Sequence, residues 1–176
     1  GGGAAGPNST IELTVVGRGG VPTTGVGAVV LNITATQPTT PGYVTVHPTG
    51  TALPNASNLN FVAGQTTPNL TITRVGDAGK ISLYNSAGDT HLIADIVGWF
   101  PATSSYTSLQ PGRLLDTRPS GTTIDNLSAG GGAAGPNSTI ELPVIGSGGV
   151  PPSGAGAAGL NITATQPTTP GYVTVH

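Results

Sequence analysis

The chain has 176 residues, of which 7% are charged, against roughly a quarter in an ordinary soluble domain. Its net charge is −2 and its five basic residues form no cluster, which argues against nucleic-acid binding. The absence of cysteine excludes disulfides and thiolate metal sites, and no apolar run approaches the roughly 20 residues of a membrane span.

Apolar and polar residues alternate along most of the chain between clusters of Gly and Pro. This period of two is typical of strands with one buried face, and no long window shows a helical period. Strands are predicted at residues 9–16, 28–36, 43–47, 58–62, 69–75, 80–85, 91–100 and 113–118.

Two short segments carry the residues of tight turns. GDAG (76–79) and NSAGD (85–89) each lie between predicted strands, and both predict β-hairpins. The strand at 91–100, HLIADIVGWF, is apolar on both faces and is therefore predicted to be a central strand between two layers.

The sequence contains a long internal repeat. Residues 1–47 recur as residues 130–176 at a constant offset of 129, and eight of the 47 aligned positions differ. A full period holds about eight short strands, which predicts an all-β fold, an antiparallel β-sandwich of jelly-roll or immunoglobulin-like type. The turn signals do not decide between these two topologies.

Four long sequence motifs resemble those of a known family: PGRLLDTR, VVGRGGVP, LNITATQPTTPGYVTVHPTG and KISLYNSAGDTHLIADIVGWF. Together they resemble a tandem repeat of secreted and surface proteins of actinobacteria. The resemblance implies an extracellular β-rich accessory or structural module without established catalytic residues. On this basis residues 1–108 are a unit that lacks its first strand, and residues 109–176 are the N-terminal part of the next unit.

Charged residues concentrate in the RLLDTR segment (residues 113–118). Arg113, Asp116 and Arg118 are predicted to form a structural ion pair; the alternative is a clamp for a carboxylate or sugar ligand. Asp95 lies in the middle of a strand, and we expect it to pair with Arg113 or Arg118 if the RLLDTR segment lies beside that strand. No nucleophile, carboxylate pair or metal motif stands out, so no catalytic residue, metal or cofactor is predicted.

Aromatic residues offer a second candidate site. Trp99, Tyr43 and Tyr84 could form a stacking platform for sugar rings. The alternative is that Trp99 plugs one end of the sandwich core.

The second copy predicts strands at 139–145, 157–165 and 172–176, which lack a facing sheet and so cannot enclose a core. We expect following sequence or a neighbouring molecule to complete them, and the RLLDTR segment to supply a strand to residues 1–100. The predicted function is a non-enzymatic extracellular structural repeat that forms a surface fibre, filament or stalk with copies of itself; the alternative is a module that binds carbohydrate or cell wall. The candidate inter-subunit residues are Ile140, Leu142, Leu160, Ile162, Val173 and Val175.

Overall fold

The computed structural model describes residues 2–175, in which two antiparallel sheets pack face to face as a β-sandwich. The predicted all-β fold is confirmed, and residues 2–175 contain no α-helix. The strands are β1 (Ser9–Thr14), β2 (Val26–Thr36), β3 (Gly42–Pro48), β4 (Leu59–Phe61), β5 (Thr67–Arg74), β6 (Lys80–Asn85) and β7 (His91–Pro101).

The strand order resolves the topology that the sequence left open. One sheet has the order β1-β6-β3-β4 and the other has the order β5-β2-β7. The first three strands therefore pair with the next three, β3 with β4, β2 with β5 and β1 with β6, and β7 lies on the other side of β2. This is the winding of a jelly roll, whereas an immunoglobulin constant domain would give the orders 1-2-5-4 and 3-6-7.

The core lies between the inner faces of the two sheets. Alternation along each strand sends one set of side chains inward, as period two requires. Burying one aliphatic side chain contributes about 1.5–3 kcal/mol, so this layer dominates the stability of the sandwich. Its fully buried aliphatic residues include Val29, Leu31, Ile33, Val44, Val46 and Ile81.

The two predicted hairpins are wrong. β5 and β6 belong to different sheets, as do β6 and β7, so GDAG and NSAGD are corners between sheets. At the first corner the Gly76 N–H donates to the Lys80 carbonyl at 2.8 Å and the Asp77 N–H donates to the Thr49 carbonyl at 3.0 Å. Turn residues fix a local reversal of the chain, but the packing of the core decides which strand becomes the partner.

The predicted central position of the last strand is also wrong. Within residues 2–175, β7 pairs only with β2, so β7 is an edge strand and β2 is the central one. The second apolar face of β7 points to solvent, where Ile93 and Val97 are exposed.

The predicted strands of the second copy are absent: residues 139–145, 157–165 and 172–175 form no strand. A strand needs a hydrogen-bonding neighbour and a facing layer, and β2 has both while its copy has neither. The RLLDTR segment is not a strand either, since its one bridge joins Asp116 to Ala129. The prediction that it completes the sandwich of residues 1–100 is therefore wrong for this structure.

Candidate functional site

Asp116 lies at the centre of a compact charge cluster with Arg113 and Arg118. Asp116 Oδ2 accepts from Arg113 Nη1 at 3.0 Å and from Arg118 Nη2 at 2.6 Å. Asp116 Oδ1 accepts from Arg118 Nε at 2.9 Å and from the Arg118 backbone N–H at 3.2 Å. The predicted ion pair between these three residues is present, and the Asp116 side chain is only 6% exposed.

The charge cluster stabilises the loop that contains residues 113–130. The hydrogen bond from the Arg118 side chain lowers the pKa of Asp116 to about 2, although burial acts in the opposite direction. The backbone of Asp116 also exchanges hydrogen bonds with Ser128 and Gly130. Gly121 packs so closely that a β-carbon there would lie 2.5 Å from the Asp116 carbonyl oxygen. Both carboxylate oxygens are therefore engaged by the chain itself, which favours the structural interpretation over a ligand clamp.

This loop packs on the loop that joins β3 and β4, residues 49–58. Gln110 Nε2 donates to the Ala52 carbonyl at 3.1 Å, and Asn55 Nδ2 donates to Thr122 Oγ1 at 2.8 Å. The 49–58 loop in turn covers the outer side of β3, where Thr45 Oγ1 donates to the Ala56 carbonyl. A crevice of about 220 Å³ lies between the two loops and is lined by Leu53, Pro54, Gln110, Arg113, Thr123 and Ile124, among others.

The predicted role of Asp95 is wrong. Asp95 is exposed on the outer face of β7, and both Arg113 and Arg118 pair with Asp116. The expectation assumed that the RLLDTR segment lies beside β7, but the loop that carries the segment packs on residues 49–58, which cover β3 in the other sheet.

The three candidate aromatic residues do not form one platform. Tyr43 and Tyr84 meet on the outer face of the four-stranded sheet, with ring centroids 6.2 Å apart at 51°. Trp99 belongs to the other sheet, where it pairs in register with the buried Val29 near the end of β7 and is 38% exposed. Its neighbour Phe100 stacks on Tyr106 at a centroid distance of 4.6 Å.

The candidate inter-subunit residues lie at the surface. Ile162 is 50% exposed, whereas Ile33, its equivalent in the first copy, is 0% exposed. Asn161 ties this region to the sandwich, because its Nδ2 donates to the Ser57 carbonyl and its Oδ1 accepts from Asn69 Nδ2, both at 2.9 Å. The other exposed members are Ile140, Leu160, Val173 and Val175, and Leu142 is half-buried.

A crevice between β1 and β7 was not found from the sequence. It has a volume of about 140 Å³ and a mostly apolar lining. Alternation assigns side chains to a face, but it cannot show that two strand edges remain open beside each other, so no sequence signal identifies this crevice. Its lining includes Leu13, Val15, Gly19, Leu31, Ala94 and Ile96.

Across residues 2–175, no group of three or more His, Cys, Asp or Glu side chains could hold a metal ion. In the same residues no helix has the length and apolar character needed to cross a membrane. Comparisons with protein-family models, with curated proteins and with solved structures found no match to this chain. The resemblance to the actinobacterial repeat therefore stays a prediction that rests on its motifs.

Proposed function

We propose that this chain is a non-enzymatic structural repeat protein of an extracellular fibre, filament or stalk. Its β-sandwich units continue head to tail, and the second copy becomes the start of another sandwich. One observation carries the proposal: residues that form the core in the first copy are exposed in the second, as Ile33 and Ile162 illustrate.

The free energy of burial supports this assembly. Each 100 Å² of apolar surface removed from water contributes about 2.5 kcal/mol. Leu160 and Ile162 share the inward alternation of Leu31 and Ile33, so partner strands equivalent to β5 and β7 would bury them in the same way. Units that complete each other head to tail make contact through two different surfaces. Such heterologous contacts extend into filaments when they do not close into a ring.

The charge cluster supports a structural role as well. The Asp116 carboxylate is paired with Arg113 and Arg118, so it is not available to bind a ligand or to act as a base. The chain's other carboxylates include Asp77 and Asp89, which lie in the two corners between sheets. Asp is favoured at such corners for local hydrogen bonding, so these positions need no catalytic explanation.

Light scattering and negative-stain electron microscopy of the full chain over a range of concentrations test the proposal. We expect elongated particles whose length grows with protein concentration. Ile162→Asp should shorten them by placing a charge on the completing face, whereas Leu70→Asp on the exposed outer face of β5 should not. Compact, monodisperse monomers at all concentrations would contradict the proposal.

A carbohydrate- or cell-wall-binding role is the second candidate, and the pair of the exposed Tyr43 and the half-buried Tyr84 favours it. Aromatic rings with open faces stack on sugar rings. A glycan array tests this role with Tyr43→Ala and with Trp99→Ala, which alters the opposite sheet. Reproducible binding that is lost only in Tyr43→Ala would favour this candidate, and the absence of binding would dismiss it.

A further inference from the structure

The two sheets of the sandwich are unequal, and β1 is the strand that is left uncovered. Ile11 is paired in register with Leu83, so its side chain faces the interior together with that buried leucine. Ile11 nevertheless remains 40% exposed. The facing sheet has three strands against four and, within the described residues, ends at β7. A fourth strand beside β7 would lie across from Ile11.

The β1–β7 crevice lies at this same place. Leu13 and Val15 line it from one side, and Ala94 and Ile96 line it from the other. Its volume of about 140 Å³ is close to that of apolar cavities that take up one small hydrophobic group. The backbone of β7 beside the crevice pairs with β2 on one side only, so its other side offers hydrogen bonds to a further strand.

The winding of the chain indicates which segment belongs there. The chain pairs β3 with β4, β2 with β5 and β1 with β6. The next pair in this series joins β7 to a strand that precedes β1 in a repeat unit. Strand directions alternate along this winding, which makes the added strand antiparallel to β7. In the second unit, the residues before the copy of β1 contain the RLLDTR segment.

One contact in the second unit places the segment beside an equivalent turn. Leu114 Cδ2 lies 3.0 Å from the position of a β-carbon on Gly148. Gly148 is the repeat equivalent of Gly19, which lines the β1–β7 crevice and faces Ile96 in the first unit. A leucine of the RLLDTR segment thus packs on the turn that is equivalent, in the second copy, to the one that borders the crevice.

We propose that the β1–β7 crevice binds the RLLDTR segment of a second copy of this chain. Leu114 enters the crevice, and the backbone of the segment adds to the free edge of β7 as an antiparallel fourth strand. The chain's own segment is held away from this site by the Gln110 and Asn55 hydrogen bonds over β3. The exchange of an identical segment between copies is an established route to assembly. This inference rests on the proposed head-to-tail function and names one surface that carries it.

The test adds a synthetic peptide with the sequence of residues 111–121, PGRLLDTRPSG, to the full chain. Hydrogen exchange measured by mass spectrometry should show saturable protection of β7. Ala94→Glu places a charge in the crevice and should weaken peptide binding at least tenfold, whereas Val97→Glu on the outer face of β7 should leave it unchanged. A peptide with Leu114→Asp and Leu115→Asp should not protect β7. Absence of protection by the natural peptide, or equal protection by both peptides, would overturn the proposal.

Sedimentation and electron microscopy of the full chain with Leu114→Asp and Leu115→Asp separate the two proposals. Loss of self-association in this variant supports both. Filaments that persist while the natural peptide fails to protect β7 would overturn the crevice proposal and leave the fibre function standing. Protection of β7 by the peptide in a chain that stays monomeric would overturn the fibre function, and with it the second copy as the source of the segment.

Discussion

The Asp116 carboxylate and the Arg118 guanidinium form a two-point ion pair, with an Nε–Oδ1 distance of 2.9 Å and an Nη2–Oδ2 distance of 2.6 Å. Charge-assisted pairs of this geometry have directional as well as electrostatic strength. Because the backbone of Asp116 also bonds to Ser128 and Gly130, the ion pair holds both ends of one loop together.

Acid should therefore loosen this loop. The pKa of Asp116 is about 2 in the folded chain and 3.8 without its partners, so its contribution is complete above about pH 4 and is lost as the pH falls through 2. We expect a loss on the order of 1–2 kcal/mol, since Arg118 is half-exposed and partly screened. The measurement is hydrogen exchange of the Gly130 amide, corrected for its intrinsic pH dependence. Asp116→Asn should abolish the pH effect, and Asp95→Asn should preserve it.

The repeat provides a matched pair of core substitutions. Ile33→Ala leaves a cavity between the sheets and should destabilise the sandwich by about 2–5 kcal/mol. Ile162→Ala removes the same atoms from an exposed side chain and should change stability by less than about 0.5 kcal/mol. Denaturant unfolding of the chain at low concentration measures both. Equal effects would contradict the burial difference between the two copies.

Gly76 tests the corner between β5 and β6. A β-carbon there would lie 2.2 Å from the Thr49 carbonyl oxygen and 2.3 Å from the Thr49 nitrogen. The backbone cannot withdraw easily, because Thr49 and Lys80 both hydrogen-bond to this corner. Gly76→Ala should therefore lower the free energy of unfolding by at least about 3 kcal/mol.

Gly98→Ala is the control for this substitution, because a β-carbon at Gly98 meets only Val30 Cγ2, at 3.9 Å. It should leave stability unchanged or raise it by up to about 1 kcal/mol. Thermal unfolding of the two variants compares them, and a Gly76→Ala variant as stable as the parent chain would refute the predicted clash.

Asn85 ties the start of the chain to the corner before β7. Its Nδ2 donates to the carbonyls of Ala5, Gly6 and Gly88 at 2.8–3.0 Å, and its side chain is fully buried. Asn85→Asp would place a carboxylate oxygen against these three carbonyl oxygens. We expect a destabilisation of more than about 3 kcal/mol, growing as rising pH ionises the new carboxyl group. Urea unfolding at two pH values measures it.

The control is Asn60→Asp, which alters an exposed amide that donates to Ser57 Oγ at 3.3 Å. It should change stability by less than about 0.5 kcal/mol at either pH. A similar loss in both variants would show that the three carbonyl contacts of Asn85 are not the cause.

The RLLDTR segment and the two corners show where prediction from sequence stops. All seven strands between Ser9 and Pro101 were predicted from alternation, β6 with its exact bounds. Alternation also predicted a strand at 113–118. Instead, the backbone and the carboxylate of Asp116 form their hydrogen bonds within one loop. GDAG and NSAGD turn the chain as predicted, yet they connect different sheets, because the choice of partner depends on residues far away in the sequence.

The candidate site was predictable only where it depends on residues that are close together in the sequence. Arg113, Asp116 and Arg118 lie within six residues, so their pairing follows from local geometry. Asp95 was misplaced because its surroundings depend on which edge of the sheet β7 occupies, and Trp99 lies apart from Tyr43 and Tyr84 because β7 belongs to the other sheet. The β1–β7 crevice depends on the unequal number of strands in the two sheets, a property of the whole sandwich.

The turns of the two copies show what the sequence determines by itself. The Gly17 N–H donates to the Val21 carbonyl at 3.1 Å, and the equivalent Gly146 N–H donates to the Val150 carbonyl at the same distance. Gln37 and Gln166 share a left-handed backbone, with φ of 53° and 52°. These conformations depend on neighbouring residues alone, so they persist in both copies.

The strands show what only the tertiary structure decided. β2 and residues 157–165 have nearly the same sequence, but only β2 lies between two strands and under a facing sheet. Strand hydrogen bonds join residues that are distant in the chain, and burial needs a second layer, so neither is available to a segment on its own. The alternation specifies the face that will be buried, and the neighbours decide whether a strand forms.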